Sequence, residues 1–235
     1  MKFTVEKKEI SEALSLVASV AEKRQSIPVL SNILLKAENK GLTLIATDLE
    51  IELTFKIPKI ELDSEGETTV SARKLADLVR SVPEDTVLTF ELLESQLEIS
   101  ALKFQADFST LPVGDFPVTE ISEFEREVAL PGKELADLIE KTSFAMASQD
   151  VRYYLNGILL EVSPAQINVV ATDGHRLAWA SCKIKTDFID EKIIIPRKSA
   201  IELQKLLNLY PDNVNISFNS NQLRVFSDEF TFISK

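Results

Sequence analysis

The chain has 235 residues, 45% of them apolar and 27% charged, and its 37 acidic side chains outnumber 26 basic ones for a net charge of −11. That length suits two domains of roughly 115–120 residues, no run of about 18 apolar residues offers a membrane-spanning helix, and a single cysteine, Cys182, excludes an intrachain disulfide. The acidic balance argues against a surface that is basic throughout, but not against nucleic acid held by basic residues confined to one face.

The N-terminal MKFTVEKKEI lacks an apolar core and a small-residue cleavage site, so it does not read as a signal peptide, and a cytoplasmic protein is expected. Helical spacing first appears at Ile10, Leu14, Val17 and Ala21. ILLKAE, LTLIATD and IELTFKI then read as strands. A second helix is predicted from Leu75, Leu78, Val79 and Val82, with Ser71 as its start and Pro83 as its stop. VLTFELL, QLEIS and FQADFS follow as strands. Leu135, Leu138 and Ile139 mark a third helix behind Pro131. GILLEV, QINVVATD and LAWASCKI are strands, and Ile201, Leu203, Leu206 and Leu207 form a fourth helix that stops at Pro211. NISF, QLRVF and FTFISK complete the order. Runs of strands broken by two helices per half predict α+β domains with antiparallel sheets.

The sequence also repeats itself. PVLSNILLKAENKGLTLIATDLEIEL (28–53) answers YYLNGILLEVSPAQINVVATDGHRLAW (153–179), with Asn32 matching Asn156 and Thr47-Asp48 matching Thr172-Asp173 at an offset of 124 to 125 residues. Arg73-Lys74 and Arg197-Lys198 keep the same frame. Two domains of one fold are therefore predicted, spanning 1–122 and 127–235 and joined near Thr119 to Glu127. RKLADLVRSV (73–82) further resembles KELADLIEKT (133–142), which suggests two similar units of one helix and a few strands inside each domain.

Catalytic patterns are sparse. The one histidine, His175, lies two residues from Asp173 in ATDGHRLA, without the strand-turn-helix elbow that would present a nucleophile. No Walker loop, GxGxxG or metal-ligand cluster occurs, so no catalytic residue, metal or cofactor is expected. Three stretches instead suit binding. Asp173-Gly174 reads as a turn, and the polar and aromatic His175, Arg176 and Trp179 beside it suit peptide recognition at a sheet edge. In QDVRYYLNG (149–157), an arginine beside two tyrosines suits stacking on bases and contact with phosphate. The third stretch is the recurring Arg73, Lys74 and Arg80, then Arg197, Lys198 and Lys205, on locally basic helices of an acidic chain.

QDVRYYLNG, ATDGHRLA, IIPRK, SIPVLSNILL, VSARKL and STLPVGDFP together resemble the β subunit of bacterial DNA polymerase III, the sliding-clamp family, in register from Met1 to Lys235. The resemblance implies the DNA-clamp fold: copies of a domain with two helices on small antiparallel sheets, assembled as a six-domain ring around duplex DNA. It implies a non-catalytic processivity factor. The expected partners are duplex DNA without regard to sequence, DNA polymerase III subunits, the clamp loader, and other polymerases and repair factors. It implies DNA contacts at Arg24, Arg73, Gln149, Arg152, Tyr153, Tyr154, Arg197 and Lys198. It implies a partner-peptide groove at Leu155, Thr172, Gly174, His175, Arg176 and Leu177. A subunit interface is implied at Lys74, Phe104, Ala106 and Phe108. The family has a third domain that this sequence does not contain, so a truncated clamp, a homodimeric ring only at full length, is expected. The alternatives are a natural two-domain clamp closing as a trimer, or a protein-interaction module reusing the fold without DNA.

Overall fold

Among the described residues, each of four helices is entered directly from a strand and followed by a three-stranded antiparallel meander. In the first module β1 (Lys2–Glu6) runs into α1 (Lys7–Val20), followed by β2 (Asn32–Glu38), β3 (Gly41–Thr47) and β4 (Ile51–Ile57). A short extra strand, β5 (Glu61–Ser64), precedes the second module: β6 (Gly66–Ser71), α2 (Ala72–Ser81), β7 (Val87–Leu93), β8 (Gln96–Ala101) and β9 (Phe104–Ser109). The third comprises β10 (Val128–Pro131), α3 (Gly132–Ser143), β11 (Gly157–Val162), β12 (Gln166–Thr172) and β13 (Leu177–Lys183). The fourth comprises β14 (Glu191–Pro196), α4 (Arg197–Leu209), β15 (Asn213–Phe218), β16 (Leu223–Phe226) and β17 (Phe230–Ser234). This computed structural model describes residues 1–21, 27–102, 104–119, 124, 126–186 and 191–235.

The chain divides into two compact units, Met1–Glu120 with Asp228–Thr231, and Ile121–Ser227 with Phe232–Lys235. Inside each unit the modules exchange their leading strands. β1 leaves its own meander to pair with β7, giving the order β5-β1-β7-β8-β9, while β6 pairs with β2 in the order β4-β3-β2-β6. The second unit does the same: β14 joins β11 in β13-β12-β11-β14, and β10 joins β15 in β10-β15-β16-β17. The exchange interlocks the two modules of a unit, since each meander is completed by a strand from the other.

The helices form where apolar residues recur every three or four positions. α1 buries Ile10, Leu14, Val17 and Val20, and α4 buries Ala200, Leu203, Leu206 and Leu207. α1 packs on α2 and α3 on α4. No side chain caps their N-termini, and at α1, α3 and α4 backbone carbonyls take up free amides instead. Lys7 N donates to Thr86 O at 2.9 Å, and Gly132 N to Asp212 O at 2.7 Å, so the turn after the unit's second helix caps its first helix in both units. Ser71 and Pro131 do occupy the N-cap positions, but neither supplies a side-chain cap. In the first core Phe3 and Phe90, cross-strand neighbours of β1 and β7, stack with centroids 4.7 Å apart and no exposure. Val113 and Phe116, from the LPVGDFP stretch, pack with Val29, Leu34 and Ile45.

Several particulars differ from the sequence reading. Ala21 and Val82 lie one residue past their helices, although both fit the helical spacing. The strands β1, β5, β6, β10 and β14 were not legible as strands. The expected junction near Thr119 to Glu127 falls largely on residues outside those described.

Candidate functional site

Two loops of the second unit meet at one corner. The first follows α3: Ala147 N donates to Leu155 O at 3.0 Å, closing the segment between them into a loop. Asn156 clamps it from inside, its Nδ2 donating to Asp150 O at 2.8 Å and its Oδ1 accepting from Asp150 N at 2.9 Å. Gln149 takes a left-handed φ of 58°, and its side chain is exposed. The Asp150 carboxylate accepts from Arg152 Nε at 3.0 Å, Nη2 at 2.9 Å and backbone N at 2.8 Å. Those hydrogen bonds, the side-chain ones foremost, hold its pKa down to about 2. A 3-10 turn over Tyr153–Leu155 follows. It buries Leu155 and leaves Tyr153 81% exposed, edge-to-face with Tyr154.

The second loop joins β12 to β13 and is built by Thr172 and Asp173. Thr172 Oγ1 donates to Arg176 O at 2.7 Å and accepts from Gly174 N at 3.1 Å. Asp173 Oδ1 accepts from His175 N and Arg176 N, both at 2.9 Å, and Oδ2 from Arg176 Nε at 2.9 Å. The backbone amides of Arg176 and His175 are the main reason that the Asp173 pKa also falls to about 2. Asp173 therefore holds the turn's backbone, and it is not the orienting partner of the His175 ring. The first unit builds the same turn: Thr47 Oγ1 donates to Ile51 O, and Asp48 Oδ1 accepts from Glu50 N and Ile51 N. What differs is the cargo, Leu49, Glu50 and Ile51 in one copy against Gly174, His175 and Arg176 in the other.

Thr172, Gly174, His175, Arg176 and Leu177 thus lie on and beside one turn, and the loop that carries Leu155 meets it through Arg152, which lies against Gly174. Leu177 and Trp179 extend the corner along β13, a terminal strand of its sheet in this unit, and are 66% and 60% exposed. Phe144, 59% exposed just after α3, sits 5.5 Å from the Arg176 guanidinium. The sequence reading missed Phe144, because a lone aromatic after a helix carries no pattern. Cys182, half-buried on β13, has its thiol pKa raised by burial and secondarily by Glu134, which makes it a poor nucleophile.

The basic candidates are distributed over both units. Arg73 and Lys74 are exposed in the first turn of α2, where Asp77 lies 3.8 Å from Arg73 and 3.1 Å from Arg80. Arg197 and Lys198 open α4, and Arg197 Nη1 donates to Met146 O at 3.2 Å. Arg24 lies outside the described residues. Phe104, Ala106 and Phe108 share one face of β9, the terminal strand of its sheet, opposite Ala101, Ile99 and Leu97 of β8. Among the described residues no group of His, Cys, Asp and Glu could hold a metal ion, and no helix is long and apolar enough to cross a membrane.

Comparison with known proteins agrees over both units. The family model described as DNA polymerase III beta subunit, N-terminal domain, matches residues 1–120, and that of the central domain matches 129–235. The beta sliding clamp of Pseudomonas aeruginosa is 42% identical over the whole chain, and that of Escherichia coli K12 is 37% identical. The chain spans 64% of the length of each. A crystal structure of the P. aeruginosa DNA polymerase III subunit beta superposes with a TM-score of 0.95 at 42% identity, covering 100% of this chain and 64% of that one. The Caulobacter crescentus pol III beta structure superposes at 0.93 with 33% identity, covering 100% and 65%.

Proposed function

The chain belongs to the DNA polymerase III beta-subunit family, the beta sliding clamps, and on that footing we propose that it acts in a ring around duplex DNA that tethers a replicative polymerase. The observation that carries this reading is the in-register match of both units to consecutive clamp domains. The proposed units are clamp domains 1–122 and 127–235. The activity is topological rather than chemical, so the protein is a non-catalytic accessory factor of the cytoplasm. A closed ring leaves DNA only by opening, and long residence then needs no high affinity.

Sliding requires contacts that ignore sequence, and phosphate supplies them. Arg24, Gln149, Arg152, Tyr153 and Tyr154 are proposed to contact DNA, with Arg73, Arg197 and Lys198 as charges that line the hole and face phosphate. The chain's overall net charge of −11 keeps the protein from gripping DNA at random. The corner made by Leu155, Thr172, Gly174, His175, Arg176 and Leu177 is proposed to take a short apolar peptide of polymerase III subunits, the clamp loader, other polymerases and repair factors, which therefore compete. Lys74, Phe104, Ala106 and Phe108 are proposed to meet the neighbouring subunit of a homodimeric ring, where β9 offers an edge for strand addition.

The test is the salt dependence of binding to duplexes of unrelated sequence. Each lost phosphate contact reduces the log-log slope by about 0.9. Arg73→Ala and Arg197→Ala are expected to flatten it by about that amount; unchanged slopes in both variants would overturn the basic lining.

A further inference from the structure

Phe144 follows the last turn of α3 with its side chain in solvent, yet its backbone is fixed. Ala145 N donates to Thr142 O at 3.0 Å and Met146 N to Ser143 O at 3.2 Å, which winds the chain tightly past the helix end. Thr142 is fully buried, with Oγ1 donating to Leu138 O at 2.9 Å, and Ala145, Met146 and Ala147 turn into the core. The aromatic ring is thus held outside on a rigid base. It lies 5.5 Å from the Arg176 guanidinium, inside the reach of about 6 Å at which a cation is drawn to an aromatic face. We propose that Phe144 is a positioning residue of the peptide corner, one that fixes the plane of the Arg176 guanidinium for a partner peptide. This role rests on the peptide-corner reading above and deepens it, because it adds the end of α3 to a site otherwise built from two loops.

Arg176 is held from two directions. Asp173 Oδ2 accepts from its Nε at 2.9 Å, which ties the near end of the guanidinium. A single bond at Nε still lets the plane turn, and the Phe144 ring beside it removes that freedom. The bond to Asp173 uses Nε, so Nη1 and Nη2 are the donors that it leaves for a main-chain carbonyl of the peptide. Every peptide carries that group, which suits a corner shared by several partners. An arginine already fixed in its bound orientation loses less side-chain freedom when the peptide arrives.

The internal repeat supplies an independent observation. At the offset of 125 residues that aligns Thr47-Asp48 with Thr172-Asp173, Phe144 corresponds to Ser19 and Arg176 to Ile51. The first unit builds the same turn with neither ring nor cation, and its Ile51 is buried. Ring and cation therefore occur together, in the copy that carries the corner. A ring that served the fold would lie inside it, and Phe144 does not.

The test uses the full-length form of the protein and a fluorescein-labelled short apolar peptide of a bacterial DNA polymerase III subunit. Phe144→Leu keeps an apolar side chain without an aromatic face, and Phe144→Tyr keeps the ring; circular dichroism confirms that each is folded. Phe144→Leu is expected to weaken the peptide about threefold, the order of one exposed cation–π contact, and Phe144→Tyr to recover the affinity. In an Arg176→Ala background Phe144→Leu is expected to add no loss. In the 235-residue chain the Arg176 Nε–Hε resonance is expected to move in Phe144→Leu and to hold its place in Phe144→Tyr. The same loss with and without Arg176 would make the ring a direct peptide contact and overturn the positioning role, as would an unmoved resonance in Phe144→Leu. Loss of affinity in Arg176→Ala with none in Phe144→Leu ends this proposal while the corner reading stands; a wild type that binds no peptide ends both.

Discussion

The Arg152 guanidinium lies over Gly174, so that a Cβ placed on Gly174 would stand 3.2 Å from Arg152 Nη2. The equivalent turn of the first unit carries Leu49 at a φ of 77°, close to the 88° of Gly174. The turn itself thus tolerates a side chain in the left-handed region, and close approach of the arginine is what distinguishes the second copy. Through this contact the loop bearing Gln149, Arg152 and Tyr153 leans on the loop bearing His175 and Arg176.

Gly174→Ala is expected to cost about 1–2 kcal/mol, the ordinary penalty for a side chain in left-handed backbone. Gly174→Leu costs more, because its side chain occupies the space of the guanidinium. Arg152→Ala removes that excess. Urea unfolding of the singles and the double measures the coupling; strictly additive values would show that the loops do not brace each other.

Asp150 and Asp173 both have pKa values lowered from 3.8 to about 2. A carboxylate whose pKa is lower folded than unfolded stabilises the fold fully above its unfolded value, and that contribution disappears as pH falls through the folded value. Asp173→Asn keeps an oxygen for the His175 and Arg176 amides but loses the Arg176 Nε bond and the charge. The stability difference between wild type and Asp173→Asn is therefore expected to be constant above pH about 4 and to shrink toward pH about 2. Thermal melts across that window check it, and a difference that grows on acidification contradicts it.

Phe90→Ala should destabilise the first unit by about 3–5 kcal/mol, as expected for emptying a fully buried aromatic site. Phe3→Ala should cost a similar amount, and the double variant less than their sum, because each removes the other's stacking partner. A loss below about 1 kcal/mol for either single, read by denaturant unfolding, would mean that the stack is not part of the core.

His175 is exposed, and the turn holds it by its backbone N rather than its ring. Substituting it by alanine should change stability by no more than about 0.5 kcal/mol. It should nevertheless weaken a short apolar polymerase peptide, as should Arg176→Ala, which also frees Phe144. Isothermal titration separates the outcomes: wild-type affinity in both variants would move the peptide groove elsewhere.

The four helices were legible because Leu75, Leu78 and Val79, and their counterparts, repeat at helical spacing, with Pro83 and Pro211 closing the second and the fourth. The strands feeding those helices were not. KFTVE, GETTVS, VALP and EKIIIP are short and run into helical residues without a turn, so no punctuation marks their ends. Their exchange between modules is a long-range pairing that local pattern does not encode. At the site, ATDGHR read as a turn, which Asp173 anchors by bonds to amides two and three residues on, yet the role of Arg152 as its neighbour depends on a contact between segments some 20 residues apart. The repeat with Thr47-Asp48 was visible, and it separates the shared turn from the cargo peculiar to the second copy.

Encirclement of DNA is tested most directly on nicked circular duplex loaded with the full-length form of this protein by a bacterial clamp loader and ATP. The account predicts that protein is retained on the circle through gel filtration and is released when one restriction cut linearises the DNA. Equal retention on circular and linear DNA, or none on either, would contradict it.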